Sequence, residues 1–170
     1  KAVDDEEAFN ELYRHFFPRV YNFIYARMKN VDEADDVVSM TFMKVYENLS
    51  KYNPDKAAFS TWLFRIASNS MLDYFRRTQS RGETEWEETF DPPAPEFEEP
   101  ETKALVEEGH AEILKAMDKL NERERRIVEL KYFSGMGNKE IAELMEITAN
   151  NVGVVLHGAL KKLKKTLGRE

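Results

Sequence analysis

Cysteine is absent from this chain of 170 residues. That excludes disulfides, thiolate catalysis and cysteine-ligated zinc, and it suits a reducing, cytoplasmic setting. No run approaches the roughly 20 apolar residues that a membrane helix needs, so no membrane insertion of its own is expected. The first residues, Lys1 to Glu7, are charged and lack the apolar core of a secretory signal. Histidine is scarce: His15, His110 and His157 stand apart, with no metal-ligand spacing and no nucleophile beside them. No Gly-rich phosphate loop occurs, no internal repeat is visible and no segment reads as a strand. The expectation is therefore a protein that is not an enzyme and holds neither metal nor cofactor. The acidic stretch Asp32–Asp36 reads as favourable charge at a helix N-terminus rather than as a metal site.

Apolar residues make up 42% of the chain and aromatics 12%, enough to build globular cores. The net charge of −7 argues at first against a nucleic-acid partner, but the acidity is local. Residues 83–101 hold nine acidic and no basic residues, and setting them aside leaves +2 for the remainder. The same stretch holds four of the six prolines, which block helix continuation while like charges repel. It reads as an extended linker, with Trp86, Phe90 and Phe97 able to dock transiently.

Helical periodicity dominates on both sides. Phe9, Leu12, Tyr13 and Phe16 share one helix face, with Asp4 and Glu7 as a capping pair. Pro18 predicts a break or a new first turn, followed by Val20, Phe23, Ile24 and Met28. A third helix is expected from Asp32, carrying Val38, Phe42, Val45 and Leu49. Asn53-Pro54-Asp55 reads as a turn. A fourth helix, Ser60 to Arg77, turns Trp62, Leu63, Ile66, Ser70 and Phe75 inward. Beyond the linker, helices are expected over 101–120 and 121–133, the second opened by Asn121 and Glu124 as a capping box. A turn at 134–137 precedes a short helix over 138–145, a break at 146–148 and a last helix over 149–167.

Two constellations carry chemistry. In Lys139-Glu140-Ile141-Ala142-Glu143-Leu144-Met145, Ala142 supplies the small residue that a helix-turn-helix needs where its helices touch. Ile147, Val152 and Leu156 supply apolar contacts beyond the turn, and Thr148 is a natural N-cap for the second helix. A plain helical hairpin remains the alternative. In Phe59-Ser60-Thr61-Trp62-Leu63-Phe64-Arg65-Ile66-Ala67, continuing to Asn69, Asp73, Arg76 and Arg77, cations and polar groups interleave with aromatics. Such a face suits single-stranded DNA; the alternative puts Trp62 in the core and leaves the arginines solvated.

The second constellation, together with Phe9…Leu12-Tyr13…Val20-Tyr21-Asn22-Phe23-Ile24 and Asp32-Glu33-Ala34-Asp35-Asp36-Val37-Val38…Thr41-Phe42, resembles the sigma-two domain of bacterial sigma factors. Leu120-Asn121-Glu122-Arg123-Glu124-Arg125…Val128…Lys131-Tyr132-Phe133…Glu140-Ile141-Ala142 resembles the sigma-four domain. The order of the motifs is that of the small extracytoplasmic-function type. The resemblance implies an all-α chain of two small helical domains, residues 1–82 and 102–170, joined by an acidic Pro-rich linker over 83–101.

The family's function would follow. The chain would bind core RNA polymerase and promoter DNA and direct initiation, with an anti-sigma factor as its regulator. The first domain would grip polymerase through Asp36, Val37, Ser39, Met40 and Lys44. It would open and capture the −10 element through Lys56, Ser60, Trp62, Asn69, Arg76 and Arg77. The second domain would bind the polymerase flap and read the −35 element through Thr148, Asn150, Asn151, His157, Lys161 and Lys162.

Three departures stand against the family pattern. Ser39 and Met40 replace a glutamine and an acidic residue. Glu146 occupies a turn position usually held by glycine. The last helix, Asn151-Val152-Gly153-Val154-Val155-Leu156-His157-Gly158-Ala159-Leu160, lacks the usual cations until Lys161, Lys162, Lys164 and Lys165. Since two of these fall on contact surfaces, a second reading stays open: a sigma-like decoy that occupies an anti-sigma factor or polymerase without initiating transcription. Val154 and Val155, read as exposed, and Leu160 further suggest that the two domains pack together or that a partner covers the last helix.

Overall fold

The computed structural model describes residues 6–81 and 110–168, without the side chains of Ser80 and Arg81. The capping residue Asp4, the linker over 83–101 and the helix expected to begin at 101 lie outside these residues. Among those described there is no strand.

Helix α1 spans Glu6–Met28 without interruption, so Pro18 does not break it. Proline forfeits one backbone bond and crowds the preceding turn. Pro18 sits on the exposed side, whereas Val20, Phe23 and Ile24 of the same helix are fully buried. Packing of the inner face on both sides of the proline outweighs the lost bond.

Lys29 takes a left-handed φ of 56° and Asn30 caps α2, Val31–Asn48, by accepting the Glu33 N–H at 3.0 Å. The two residues reverse the chain, one position earlier than the acidic stretch suggested. Helix α2 ends in a single tight turn, Leu49–Lys51. The loop that follows is pinned by the Tyr52 hydroxyl donating to Ala57 O and by Asp55 N–H donating to Asn53 Oδ1. Helix α3, Phe59–Arg81, closes the three-helix unit, with Leu63, Phe64 and Ala67 packed against α1 and α2.

The second unit opens with helical residues 110–117, here α4. Helix α5, Glu122–Val128, carries the expected capping box between Asn121 and Glu124. Its continuation, Glu129–Phe133, widens into a π-type turn, with Ser134 N–H donating to Glu129 O. Helices α6, Asn138–Met145, and α7, Ala149–Thr166, form the expected helix-turn-helix. Glu146 ends α6 at φ 57°, the left-handed geometry that glycine favours. Thr148 caps α7 by accepting from Asn151 N–H at 3.1 Å.

The two units share one continuous buried core. Their contact runs from α1 to the turn 129–133 and from α3 to α6. The expected packing of the two units is thus present, but α7, whose apolar residues suggested it, packs on α5 and α6. Val155, taken as exposed, is half-buried against the core, and Val154, 64% exposed, is the outward residue.

Candidate nucleic-acid interface

Between α2 and α3 lies an open groove of about 400 Å³, lined by Lys44, Asn48, Lys51, Trp62, Ile66, Asn69 and Asp73. Helical spacing builds it: positions 44 and 48 share a face of α2, and 62, 66, 69 and 73 share a face of α3. Trp62 is half-buried, with ring centroids 5.2 Å from Tyr52 and 5.5 Å from Phe59. The indole is thus packed on one side and borders the groove on the other.

The rim is an ordered polar chain. Lys44 Nζ donates to Asp73 Oδ2 at 2.9 Å, Asn48 Nδ2 donates to Lys44 O at 2.8 Å, and Lys51 Nζ donates to Asn48 Oδ1 at 3.0 Å. The hydrogen bond from Lys44, then the nearby Arg76 and Arg77 charges, hold the Asp73 carboxyl below its ordinary value despite some desolvation. Asn69 and Lys56 are exposed. Arg76 is exposed 3.9 Å from Asp73, and exposed Arg77 reaches Met40 Sδ at 3.8 Å. Ile66 and Asp73 belong to the constellation already drawn from the sequence; Asn48 and Lys51 escaped it, although the i, i+4 spacing from Lys44 points to Asn48.

Ser60 stands apart from this group. It is buried, and its hydroxyl donates to Glu140 of α6. Thr61 Oγ1 donates to Glu143 at 3.3 Å.

On α2, Asp36 and Ser39 are exposed while Met40 and Lys44 are half-buried. Val37 is corrected: it is fully buried and serves the core, so it offers no contact surface. The exposed face continues instead through Met43 and Tyr46, 62% and 64% exposed, at helical spacing from Ser39.

On α7, Asn150, Asn151, Val154, His157 and Lys161 are exposed, the pattern of one outward face. Thr148 lies at its start. Two of the candidate groups are already engaged. Asn151 Oδ1 accepts from Arg123 at 2.6 Å, and Lys162 Nζ pairs with Glu124 at 2.7 Å. The bond from Lys162, then the Asn121 N–H, hold the Glu124 carboxyl below its ordinary value. Lys161, Lys164 and Lys165 keep a cationic end on the helix. Among the described residues, no group of three or more His, Asp or Glu side chains is arranged to hold a metal ion, and no helix is long and apolar enough to cross a membrane.

Comparison with known proteins fits this geometry. The family pattern Sigma-70 region 2 matches residues 12–81, and Sigma-70, region 4 matches residues 110–163. The ECF RNA polymerase sigma factor BldN of Streptomyces coelicolor is 28% identical over 164 residues, covering 96% of this chain and 61% of that protein. The ECF RNA polymerase sigma factor SigW of Bacillus subtilis is 26% identical over 170 residues, covering 96% of this chain and 90% of SigW. Among solved structures, the sigma factor RpoE of Bartonella quintana, in complex with the anti-sigma factor NepR, shares the fold with a TM-score of 0.71. It is 18% identical and covers 95% of this chain and 98% of its own. Two family patterns in order, on an all-helical fold with a helix-turn-helix, and relatives matched over nearly the whole chain place it in one class: the chain belongs to the extracytoplasmic-function sigma factors of bacterial RNA polymerase.

Proposed function

We propose that this sigma factor directs core RNA polymerase to promoters in the cytoplasm through three surfaces on two units, residues 1–82 and 102–170, tethered by 83–101. The exposed face of α2, from Asp36 and Ser39 to Met43 and Tyr46, docks on polymerase. Apolar Met43 and Tyr46 offset the carboxylate missing at Met40, because their burial supplies contact area where a charge-assisted bond is lost. The groove beside Trp62 takes a base of the melted −10 element, with Asn69 on its rim and Lys56, Arg76 and Arg77 meeting phosphates. The outward face of α7 enters the −35 major groove, where Asn150, Asn151 and His157 offer hydrogen bonds to base edges and Lys161 and Lys162 neutralise phosphate. RpoE of Bartonella quintana, a fold relative, was solved with the anti-sigma factor NepR, and we propose a partner of the same class here.

The observation that carries this reading is the groove itself: Trp62 and Asn69 on the helix that also bears Arg76 and Arg77, faced by the ammonium groups of Lys44 and Lys51. The test is transcription from a promoter library by core polymerase with and without the chain. Promoter-specific transcripts that require it support the proposal, and their absence sinks it. Trp62→Ala should weaken binding of single-stranded −10 DNA by about 1–3 kcal/mol, the usual worth of one base on an aromatic ring.

A further inference from the structure

Side chains tie the first turn of α5 to α7, and the ties decide what α7 can present to DNA. Glu124, which accepts the Asn121 N–H at 3.0 Å, also takes the Lys162 ammonium at 2.7 Å. One position earlier, exposed Arg123 donates to Asn151 Oδ1 at 2.6 Å. Thr148 Oγ1 accepts the main-chain N–H of the same asparagine at 3.1 Å. Both the backbone and the carboxamide of Asn151 are therefore held.

The sense of the bond to Arg123 is fixed by chemistry. A guanidinium only donates, so the amide atom that faces it is the oxygen. The NH2, at the opposite end of the carboxamide, is the group left for a partner. An unrestrained asparagine reads adenine with both ends, accepting from N6 while donating to N7. With its oxygen turned to Arg123, Asn151 cannot meet both atoms. It suits a base edge that presents an acceptor, which guanine and thymine do and cytosine, presenting an amine, does not.

Val154 chooses between these two. It lies three residues on, 64% exposed, on the same outward face as Asn151. An isopropyl group gives guanine N7 no hydrogen bond, but it packs well on the 5-methyl group that thymine alone carries. On thymine the O4 acceptor and that methyl group are adjoining substituents of one ring edge. A donor and an apolar group side by side on α7 match them.

We propose that Asn151 and Val154 form a thymine-reading pair in the −35 element, with Arg123 as the positioning residue that denies Asn151 to adenine. The inference rests on the −35 assignment just made and adds the base that this face selects.

The test is a binding selection by the full chain, at low salt, from duplexes carrying about ten randomised base pairs, one turn of the groove. The enriched sequences should share a thymine. Deoxyuridine in its place removes only the methyl group, so wild type should bind about three- to fourfold more weakly and Val154→Ala should show no difference. Asn151→Ala should lose about five- to tenfold of the preference at that position. Arg123→Ala should accept adenine there as well as thymine, whereas Arg123→Lys, still a donor only, should keep the wild-type preference. A purely structural Arg123 would instead weaken every sequence alike. That result, enriched sequences without a common thymine, or deoxyuridine tolerated equally by wild type and Val154→Ala would overturn the proposal. The selection needs no polymerase. A thymine motif without promoter-specific transcription counts against the sigma reading alone, and promoter-specific transcription from −35 elements lacking the thymine counts against this inference alone.

Discussion

Helix α7 carries Gly153 and Gly158 inside an 18-residue helix, and alanine at both should stabilise it. Neither glycine has positive φ, and a Cβ built at either meets nothing within 4 Å. The methyl groups would enter open space and leave the packing of Val152, Leu156, Ala159 and Leu163 undisturbed. Glycine in a helix interior costs about 0.8–1.0 kcal/mol relative to alanine, so the double substitution should contribute roughly 2 kcal/mol. The two positions are five residues apart on facing turns and share no partner, so their effects should add. Urea unfolding followed by circular dichroism measures this as a higher midpoint at unchanged slope. The thermal midpoint then discriminates further. If the second unit unfolds alone, a gain of that size raises Tm by about 8–16 °C; if the closed chain unfolds as one body, by about 4–8 °C. A midpoint that stays put or falls in both single variants would refute the reasoning.

Three further outcomes follow from single residues. Glu146 holds a left-handed φ of 57°, which costs an L-residue about 1–2 kcal/mol, and glycine returns roughly half of that as unfolded-state entropy. Glu146→Gly should therefore stabilise by about 0.5–1 kcal/mol in urea, and an unmoved midpoint would exclude strain there. Val154→Arg, outward on α7, should tighten duplex binding at low salt and steepen the log–log salt slope by about 0.9; Val155→Arg, half-buried, should destabilise instead. An unchanged slope in Val154→Arg would remove that face from the phosphate contact. Burial lowers the His110 imidazole below its ordinary value, and its Nε2 has no hydrogen-bond partner among the described residues. Its folded-state value lies under the unfolded one, so its contribution is whole above about pH 6.5 and is lost as pH falls through that value. His110→Phe, which keeps the ring against Phe133, should flatten the stability profile below pH 6.5; a profile parallel to wild type would refute this.

Local signals in the sequence carried the Asn121–Glu124 box, the Thr148 cap and the turn at Glu146, because each involves residues within four positions, and the helix-turn-helix followed from apolar spacing on either side of that turn. The misreadings share another cause. Pro18 reads as a break until its exposure and the buried Val20, Phe23 and Ile24 around it are known. Val37 and Val155 fall at the margin of a helix stripe, where a rotation of one residue decides between core and surface. Ser60 looks like a free hydroxyl because its partner Glu140 is 80 positions away. One long-range signal in the sequence went unread. Glu129 interrupts the apolar run Ile127-Val128-Glu129-Leu130, and a carboxylate on a core face demands a cation. The residue is indeed fully buried, bonded to Arg27 of the first unit and to Arg125 of its own.

That pairing also explains why the contact between the units is polar at its centre. A buried ion pair is rarely the most stable filling of its volume, since well-packed apolar residues often do as well or better. An apolar patch of that extent would keep the units shut, and on opening it would expose surface that invites aggregation. Glu129, Arg27, Glu122, Asp118 and Lys29 behave differently: each is solvated when the units part, and Arg125 still neutralises Glu129 within its own unit. The charges thus stabilise the contact less than apolar packing of the same volume would, and the apolar core that the two units share supplies the rest.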